Sequence, residues 1–432
     1  MPEDFSTIQE AVDAIARGEV IIVVDAENRE NEGDFICAAE KATPETLNFI
    51  MSGRGIPCMP LLPEVCQRLQ LMPVVEQNTA PLGTAYLTPI DHRGVKTGIT
   101  AEERSLTIRT AANPQSVAGD FVRPGHVLPL LAKEGGVLRR AGHTEATVDL
   151  ARMAGLEPVG VLCEVLNEQG ERASREELRV IADKHNLKMI SIEQLIAHRR
   201  VNEKLIAREA EAALPTQYGE FRIIIYSVQH ESQQPIALVY GDVGDPDQAT
   251  MVRVHSSCFT GDLISSLRCD CGDQLHMALK MISEAGRGVL LYLPQEGRGI
   301  GLREKIRAYA LQEQGLDTVE ANLALGYKAD ERDYGIGIQI LKDLGLRKVR
   351  LLTNNSKKTN AINFTAFDLQ VVDQVPLVSA PNQHNAEYLA TKREKMGHAL
   401  PAPCPWCSRA EAHDEDASYC KYCGQPLRRG QA

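Results

Sequence analysis

The sequence predicts an α/β (α+β) protein: two mixed α/β domains in tandem, with a small zinc ribbon at the C-terminus. Three observations lead there. Apolar runs bounded by glycine or proline, each emptying into a glycine-rich or charged turn and then a helix-like stretch, recur in both halves of the chain. The length of 432 residues gives room for two ample cores. The last stretch carries four cysteines in two close pairs, separate from either apolar pattern. Domains are expected over 1–205, 206–400 and 401–432. The first boundary should fall in the charged, helix-like stretch His198 to Glu211 or just past it, near Leu214-Pro215-Thr216.

In the first half, a helix over Ile8–Ala16 leads to a strand over Val20–Val24. That strand runs into Asp25-Ala26-Glu27-Asn28-Arg29-Glu30-Asn31-Glu32-Gly33-Asp34. Five carboxylates in ten residues are too acidic for a plain turn. Clustered carboxylates suit a hard divalent cation, which prefers oxygen ligands; a solvated acidic loop is the bland alternative. Two histidine segments tilt the balance: Arg123-Pro124-Gly125-His126 and Arg140-Ala141-Gly142-His143-Thr144-Glu145, the second opening a helix expected over Glu145–Ala154. Glu164 closes a strand expected over Val159–Cys163.

This constellation, with Gly83-Thr84-Ala85-Tyr86 and Thr97-Gly98-Ile99, resembles the 3,4-dihydroxy-2-butanone 4-phosphate synthase family over roughly residues 5 to 200. The resemblance implies conversion of ribulose 5-phosphate to a four-carbon phosphate plus formate, beginning with loss of a proton beside the ketone. It implies that Glu30 and His143 bind Mg²⁺ or Mn²⁺. Arg29, Glu30, Asp34, Arg140, Ala141, Gly142, His143, Thr144 and Glu164 would bind the sugar phosphate, with His126 and Glu164 required for catalysis. Two positions depart from the family pattern and keep the functional group: Thr100 where serine is usual, and Glu103 where aspartate is common.

In the second half, Cys258, Cys269 and Cys271 stand at spacings of eleven and two, announced by Arg253-Val254-His255-Ser256-Ser257. Three protein ligands rather than four leave one position for water or substrate, which is how a catalytic zinc site is built. A strand expected over Gly288–Leu293 empties into Glu296-Gly297-Arg298-Gly299-Ile300-Gly301, followed by a helix over Leu302–Gln314. Such a turn lets backbone amides approach anionic oxygens, and a helix N-terminus adds to the attraction. Its glycine spacing is not that of a dinucleotide-binding fingerprint. Another strand, Lys348–Leu352, leads to Thr353-Asn354-Asn355-Ser356-Lys357-Lys358, a loop suited to cradling phosphate.

Together with Ala329-Asp330-Glu331-Arg332-Asp333-Tyr334-Gly335, these segments resemble GTP cyclohydrolase II over roughly residues 215 to 400. The resemblance implies zinc on Cys258, Cys269 and Cys271. It also implies GTP contacts from Arg253, Val254, His255, Ser256, Ser257, Gln274, Glu296, Gly297, Arg298, Thr318, Thr353 and Lys358. Asp330 would take a proton, and Arg332 is the family's proposed nucleophile in pyrophosphate release. A guanidinium with a pKa above about 12 is a better clamp for phosphate than a nucleophile. The residue before the first cysteine, usually glutamate in the family, is Ser257 here.

The tail reads Cys404-Pro405-Trp406-Cys407, twelve intervening residues, then Cys420-Lys421-Tyr422-Cys423. Four thiolates so spaced form a closed structural zinc site, and the acidic loop between the pairs favours docking to a protein over contact with a phosphate backbone. A net charge of −11 speaks against nucleic acid as a partner. No apolar run approaches the ~18 residues of a membrane span, and the start lacks the basic residues of a signal peptide. The odd count of eleven cysteines fits a reducing compartment, so a cytoplasmic homodimer acting on small molecules is expected. A fused, bifunctional enzyme is the leading reading. The alternatives are one live domain with the other kept as a scaffold, for which Ser257 is the support, and a regulator acting through the ribbon.

Overall fold

Alternation of apolar side chains builds the first unit. In β1 (Ile21–Val24) and β2 (Gly33–Ala38), Ile22, Val24, Phe35 and Cys37 point into one core, while Ile21, Val23, Ile36 and Ala38 point into another. Every residue of both strands is buried, as a sheet covered on both faces requires. Helices Pro44–Met51, Ala101–Ala112 and Arg175–His185 pack on the first face; helices Ile8–Arg17, His143–Met153 and Ile192–Asn202 pack on the second. The computed structural model describes residues 5–27, 29–230, 234–327, 330, 332, 334–355, 369–379, 382–396 and 398, and the chain divides into units Met1–Asn202 and Glu203–Ala432. The ribbon cysteines Cys404, Cys407, Cys420 and Cys423 lie outside the described residues.

The remaining strands of the first unit are β3 (Cys58–Leu61), β4 (Ile90–His92), β5 (Phe121–Leu131), β6 (Gly160–Glu164) and β7 (Met189–Ser191). The seven-stranded order is β4-β5-β3-β6-β2-β1-β7, with β1–β7 and β3–β5 parallel and the other pairs antiparallel. The helix expected over Ile8–Ala16 spans Ile8–Arg17. Thr7 and Glu10 cap it reciprocally, and Gly18 ends it at a φ of 84°, a left-handed turn suited to glycine.

The second unit also has a seven-stranded sheet, built from β8 (Ile206–Thr216), β9 (Gly219–Val228), β10 (Ile236–Tyr240), β11 (Thr250–Ser256), β12 (Gly288–Leu293), β13 (Lys348–Leu352) and β14 (Gln370–Val375). Its order is β14-β13-β11-β12-β10-β9-β8. Pairs from β14 to β12 are parallel, and those from β12 to β8 antiparallel. The carboxyl ends of β11, β12 and β13 therefore open side by side. That is where open α/β sheets bind ligands.

One expectation fails. The stretch His198 to Glu211 is not helical throughout: the helix ends at Asn202, and Ile206 onward is the edge strand β8. Alanine, glutamate and arginine favour a helix, but backbone pairing with β9 from Ile206 to Thr216 overrides that preference.

Candidate active sites

In the first unit, Asp25 at the end of β1 organises the acidic loop. Its buried carboxylate accepts from Arg29 (2.9 Å), from the Glu30 amide (3.0 Å) and from the Glu32 amide (3.0 Å). Arg29 also pairs with Glu30. His143, the first residue of its helix, is buried, with Nε2 3.1 Å from the Val23 carbonyl. A carbonyl only accepts, so that nitrogen carries the proton. Nδ1 is left facing Asp34 (3.9 Å) and Glu32 (4.0 Å). Ligand atoms of Asp25, Glu30 and His143 lie within 4.8 Å of one another, as do those of Glu32, Asp34 and His143. An oxygen-rich set with one neutral imidazole fits Mg²⁺ or Mn²⁺.

The electrostatics agree. Burial, then the Glu30 charge, pushes Glu32 up to about 7; burial, then Glu32, pushes Asp34 well above the carboxylate range. Burial takes His143 down to about 4, keeping it in the ligand form. Glu164 sits opposite Asp34 in the β2–β6 register and accepts from the Ile56 amide at 2.8 Å. A Cβ on Gly55 would lie 2.5 Å from Glu164 Oε2, so glycine makes room for the carboxylate.

Arg140 bonds Glu145 at 2.7 Å and reaches the Leu82 carbonyl and the Thr84 hydroxyl at 3.2 Å. It thereby ties the Gly83-Thr84 segment to the helix N-terminus at Gly142, His143 and Thr144. Ala141, just before it, is exposed. His126 is on β5, separated from β6 by β3, and is held by a residue that sequence reasoning missed. Buried Asp91 accepts from the His126 amide at 2.9 Å and binds Nδ1 at 2.7 Å, which leaves Nε2 as the basic atom. Thr100 and Glu103 form the capping box of helix Ala101–Ala112. Glu103 also accepts from the amides of Lys96, Thr97 and Gly98, so this pair shapes a turn.

In the second unit, a solvent-open cleft lies at the carboxyl ends of β11, β12 and β13, lined by Arg253, Cys258, Arg298, Arg332 and Thr353 among others. Cys258 and Cys269 are buried with their sulfurs 3.7 Å apart, and the three thiols Cys258, Cys269 and Cys271 lie within 4.8 Å of one another. Two sulfurs bound at ~2.3 Å to a tetrahedral ion are about 3.8 Å apart, so the set fits zinc. Gly261 lies directly beneath: a Cβ there would be 2.8 Å from Cys269 Sγ. Hydrogen bonds from Cys269 and Cys271 hold Cys258 well below the usual thiol range, whereas the Cys258 sulfur pushes Cys269 up to about 11.

Around the thiols runs a relay of buried polar groups. Arg253 donates to the Leu352 carbonyl (2.8 Å) and to Gln274 (2.6 Å); Gln274 donates to Asp270 (2.6 Å), which also accepts from Lys392 (2.6 Å). Asp262 accepts from the Cys258 amide (2.9 Å) and from Tyr292 (3.0 Å), and lies 3.0 Å from His255 Nε2. Glu296 binds the Phe259 amide at 2.6 Å, and Gly297 and Arg298 both adopt positive φ (62° and 63°) at the turn after β12. Asp330 and Arg332 pair through two bonds, 2.8 and 2.5 Å, and Arg332 lines the cleft. Burial works against the Arg332 charge, but the Asp330 carboxylate wins and holds it above the ordinary guanidinium range.

Ser256, Ser257, Thr318 and Thr353 line the cleft too; Val254 is buried in β11, behind it. Lys358 lies outside the described residues. Sequence reasoning missed Lys305, Tyr309, Asp270 and Lys392. The first two carried a usable signal, since Lys305, Ala308, Tyr309 and Gln312 share one helical face and all line the cleft.

Residues 9–198 match the 3,4-dihydroxy-2-butanone 4-phosphate synthase family, and residues 207–376 match GTP cyclohydrolase II. The chain is 54% identical over 397 residues to riboflavin biosynthesis protein RibBA of Bacillus cytotoxicus, covering 92% of this chain and 99% of that one. It is 55% identical over 399 residues to RibBA of Bacillus mycoides, with the same coverage. Among solved structures it resembles RibBX, a two-domain 3,4-dihydroxy-2-butanone 4-phosphate synthase from A. baumannii. That match has a TM-score of 0.66 and 34% identity, covering 87% of this chain and 100% of that one.

The chain is thus a tandem lyase and hydrolase. It belongs to the RibBA family of bifunctional riboflavin biosynthesis proteins. The synthase converts D-ribulose 5-phosphate to 3,4-dihydroxy-2-butanone 4-phosphate and formate. The cyclohydrolase converts GTP to 2,5-diamino-6-(5-phosphoribosylamino)pyrimidin-4-one, formate and pyrophosphate. Among the described residues, no helix is long and apolar enough to cross a membrane.

Proposed function

We propose that the two reactions run at two metal centres of opposite character, one hard and one soft. The observation that carries this is the pair of clusters: carboxylates with one imidazole in the first unit, three thiols in the second.

In the first unit, Glu30 and His143 hold Mg²⁺ or Mn²⁺, with Asp25 and Asp34 behind them. The cation supplies charge stabilisation for substrate oxygens when bound. Arg29, Arg140 and the helix N-terminus at Ala141 to Thr144 receive the sugar phosphate. His126, with its proton fixed on Nδ1 by Asp91, takes the proton beside the ketone at Nε2. Glu164, acceptor-only when ionised, serves the later proton transfers.

In the second unit, Cys258, Cys269 and Cys271 hold zinc, which supplies a Lewis acid with one open position when bound. Arg253 to Ser257, Gln274, Glu296 to Arg298, Thr318, Thr353 and Lys358 form the GTP pocket. Asp330 accepts a proton. Arg332, kept cationic by Asp330, clamps the departing pyrophosphate rather than attacking it. Cys404, Cys407, Cys420 and Cys423 hold a second, structural zinc in a ribbon of residues 401–432 that docks on a protein partner, and the chain works as a cytoplasmic homodimer.

The test is formate release measured separately from GTP and from ribulose 5-phosphate, each before and after selective metal removal. Depleting free Mg²⁺ should silence the sugar-phosphate reaction and leave the bound zinc in place, although GTP, whose triphosphate charge Mg²⁺ also balances, turns over more slowly. A thiophilic chelator with Mg²⁺ kept in excess should silence only the GTP reaction, and loss of the ribulose 5-phosphate reaction under that treatment would overturn the assignment.

A further inference from the structure

A buried cation stands against the thiol cluster. The Lys305 ammonium, on helix Leu302–Gln312, has three protons and meets three acceptors: Cys258 Sγ at 3.1 Å, Thr260 Oγ1 at 2.9 Å and Glu296 Oε1 at 2.6 Å. These acceptors come from separate places, the first thiol ligand, the turn after it, and the turn after β12. The other oxygen of Glu296 accepts from the Phe259 amide at 2.6 Å. Lys305, Glu296, Phe259 and Cys258 therefore close a ring. Gly297 permits the approach, since a Cβ there would lie 3.0 Å from Lys305 Cβ at a φ of 62°.

Charge gives the arrangement its purpose. Three thiolates around a divalent ion leave one net negative charge in a buried site, which is costly unless it is paired. The ammonium supplies that pairing at one sulfur. An N–H···S bond also draws electron density from the sulfur, and outer partners of this kind tune the metal. Glu296, with both oxygens committed inside the ring, links the same lysine to the Glu296–Arg298 turn.

We propose that Lys305 is a positioning residue of the metal centre. It neutralises the three-thiolate site and locks the Cys258 loop to the Glu296–Arg298 turn, so that metal and GTP are held in one register. The inference rests on the zinc reading of the three cysteines.

The test uses the full chain with Lys305→Met, Lys305→Gln and Lys305→Arg, beside Cys269→Ser. Metal affinity is read by chelator competition, and the site by the sulfur-to-cobalt absorption of the cobalt-loaded protein. The contribution of this site is the difference between the parent and Cys269→Ser. Formate from ribulose 5-phosphate checks the integrity of each preparation.

Lys305→Met and Lys305→Gln should bind metal about 10–100-fold more weakly, with the cobalt band moved to lower energy as the sulfur regains electron density. Both should show a raised KM for GTP as well as a lower kcat. Lys305→Arg, which keeps the charge, should recover part of the affinity. Parent affinity and an unmoved band in both neutral variants, while Cys269→Ser loses metal, would overturn the role of Lys305 alone. If Cys269→Ser leaves the metal content unchanged, the zinc reading fails and the inference falls with it.

Discussion

Asp91→Asn tests the histidine–carboxylate pair of the first unit with almost no change of shape. Asp91 is packed under the Thr97-Gly98-Ile99 turn, so closely that a Cβ on Gly98 would lie 2.1 Å from its Oδ2. An isosteric asparagine fits the same space. Its carbonyl keeps the bond from the His126 amide, but its NH₂ then faces Nδ1, where the carboxylate stood at 2.7 Å. The imidazole must answer by moving its proton to Nε2, and the basic atom is lost. General-base catalysis contributes ~10²–10⁴-fold, which is about 2.7–5.4 kcal/mol of barrier at ~1.36 kcal/mol per tenfold. Folding stability should change only by one exchanged hydrogen bond, about 0.5–1.5 kcal/mol. The assay is formate release from ribulose 5-phosphate at saturating Mg²⁺, with GTP-derived formate from the same preparation as internal control. The expected result is a kcat lowered by ~10²–10⁴ with KM little changed and the GTP reaction intact. A variant keeping more than about a third of the parent kcat, far above what loss of a general base permits, refutes the role given to this pair.

The two chemistries should separate: Glu30→Gln or His143→Ala should abolish formate from ribulose 5-phosphate and spare GTP turnover, and Cys269→Ser should do the reverse, read on the same two assays. Arg199→Ala should destabilise the first unit by about 1.5–3 kcal/mol. It removes one of two cationic partners of buried Asp149 (2.7 Å), leaving the half-exposed Arg152 at 3.1 Å, and the same carboxylate holds the Val137 amide at 2.8 Å in the loop before Arg140. Urea unfolding followed by circular dichroism and by the ribulose 5-phosphate reaction would measure the loss. Truncation after Leu400 should remove one of two zinc ions per chain and leave both formate-releasing activities in place; metal analysis showing no loss of zinc would sink the ribbon.

Much of the fold can be read directly from residue patterns. The strands expected at Gly288–Leu293 and Lys348–Leu352 form over those same residues, because an uninterrupted apolar run bounded by charge or glycine has few other fates. The helix expected from Glu145 begins two residues earlier, at His143, because Gly142 ends the extended segment there. β8 could not be read, since its pairing with β9 is a tertiary fact that local propensity opposes. Thr100 and Glu103 illustrate another limit: a serine/threonine and a carboxylate three apart suit a binding loop and a helix cap equally, and only the hydrogen bonds decide. Ligand-type residues betray themselves by spacing, as the three cysteines do. The groups that orient them do not. Asp91 reaches His126 across 35 positions, and Lys305 reaches Cys258 across 47.

The two sheets also differ in the order in which synthesis can finish them. In the first unit β1, which leads to Asp25, and the strands bearing Asp34 and Glu164 are all made before helix Arg175–His185, and the last strand, β7, pairs with β1 only a dozen residues before the unit ends at Asn202. The GTP cleft draws one wall from Arg253 and another from Lys392 and His398. Its buried Asp270 lacks its cationic partner until helix Ala386–Glu394 has arrived. Domains fold as units from the N-terminus during synthesis. A ribosome-bound chain would therefore complete its sugar-phosphate site while the cleft for the nucleotide is still missing a wall, and a chain cut short between Asn202 and helix Ala386–Glu394 would keep the first chemistry while lacking the second.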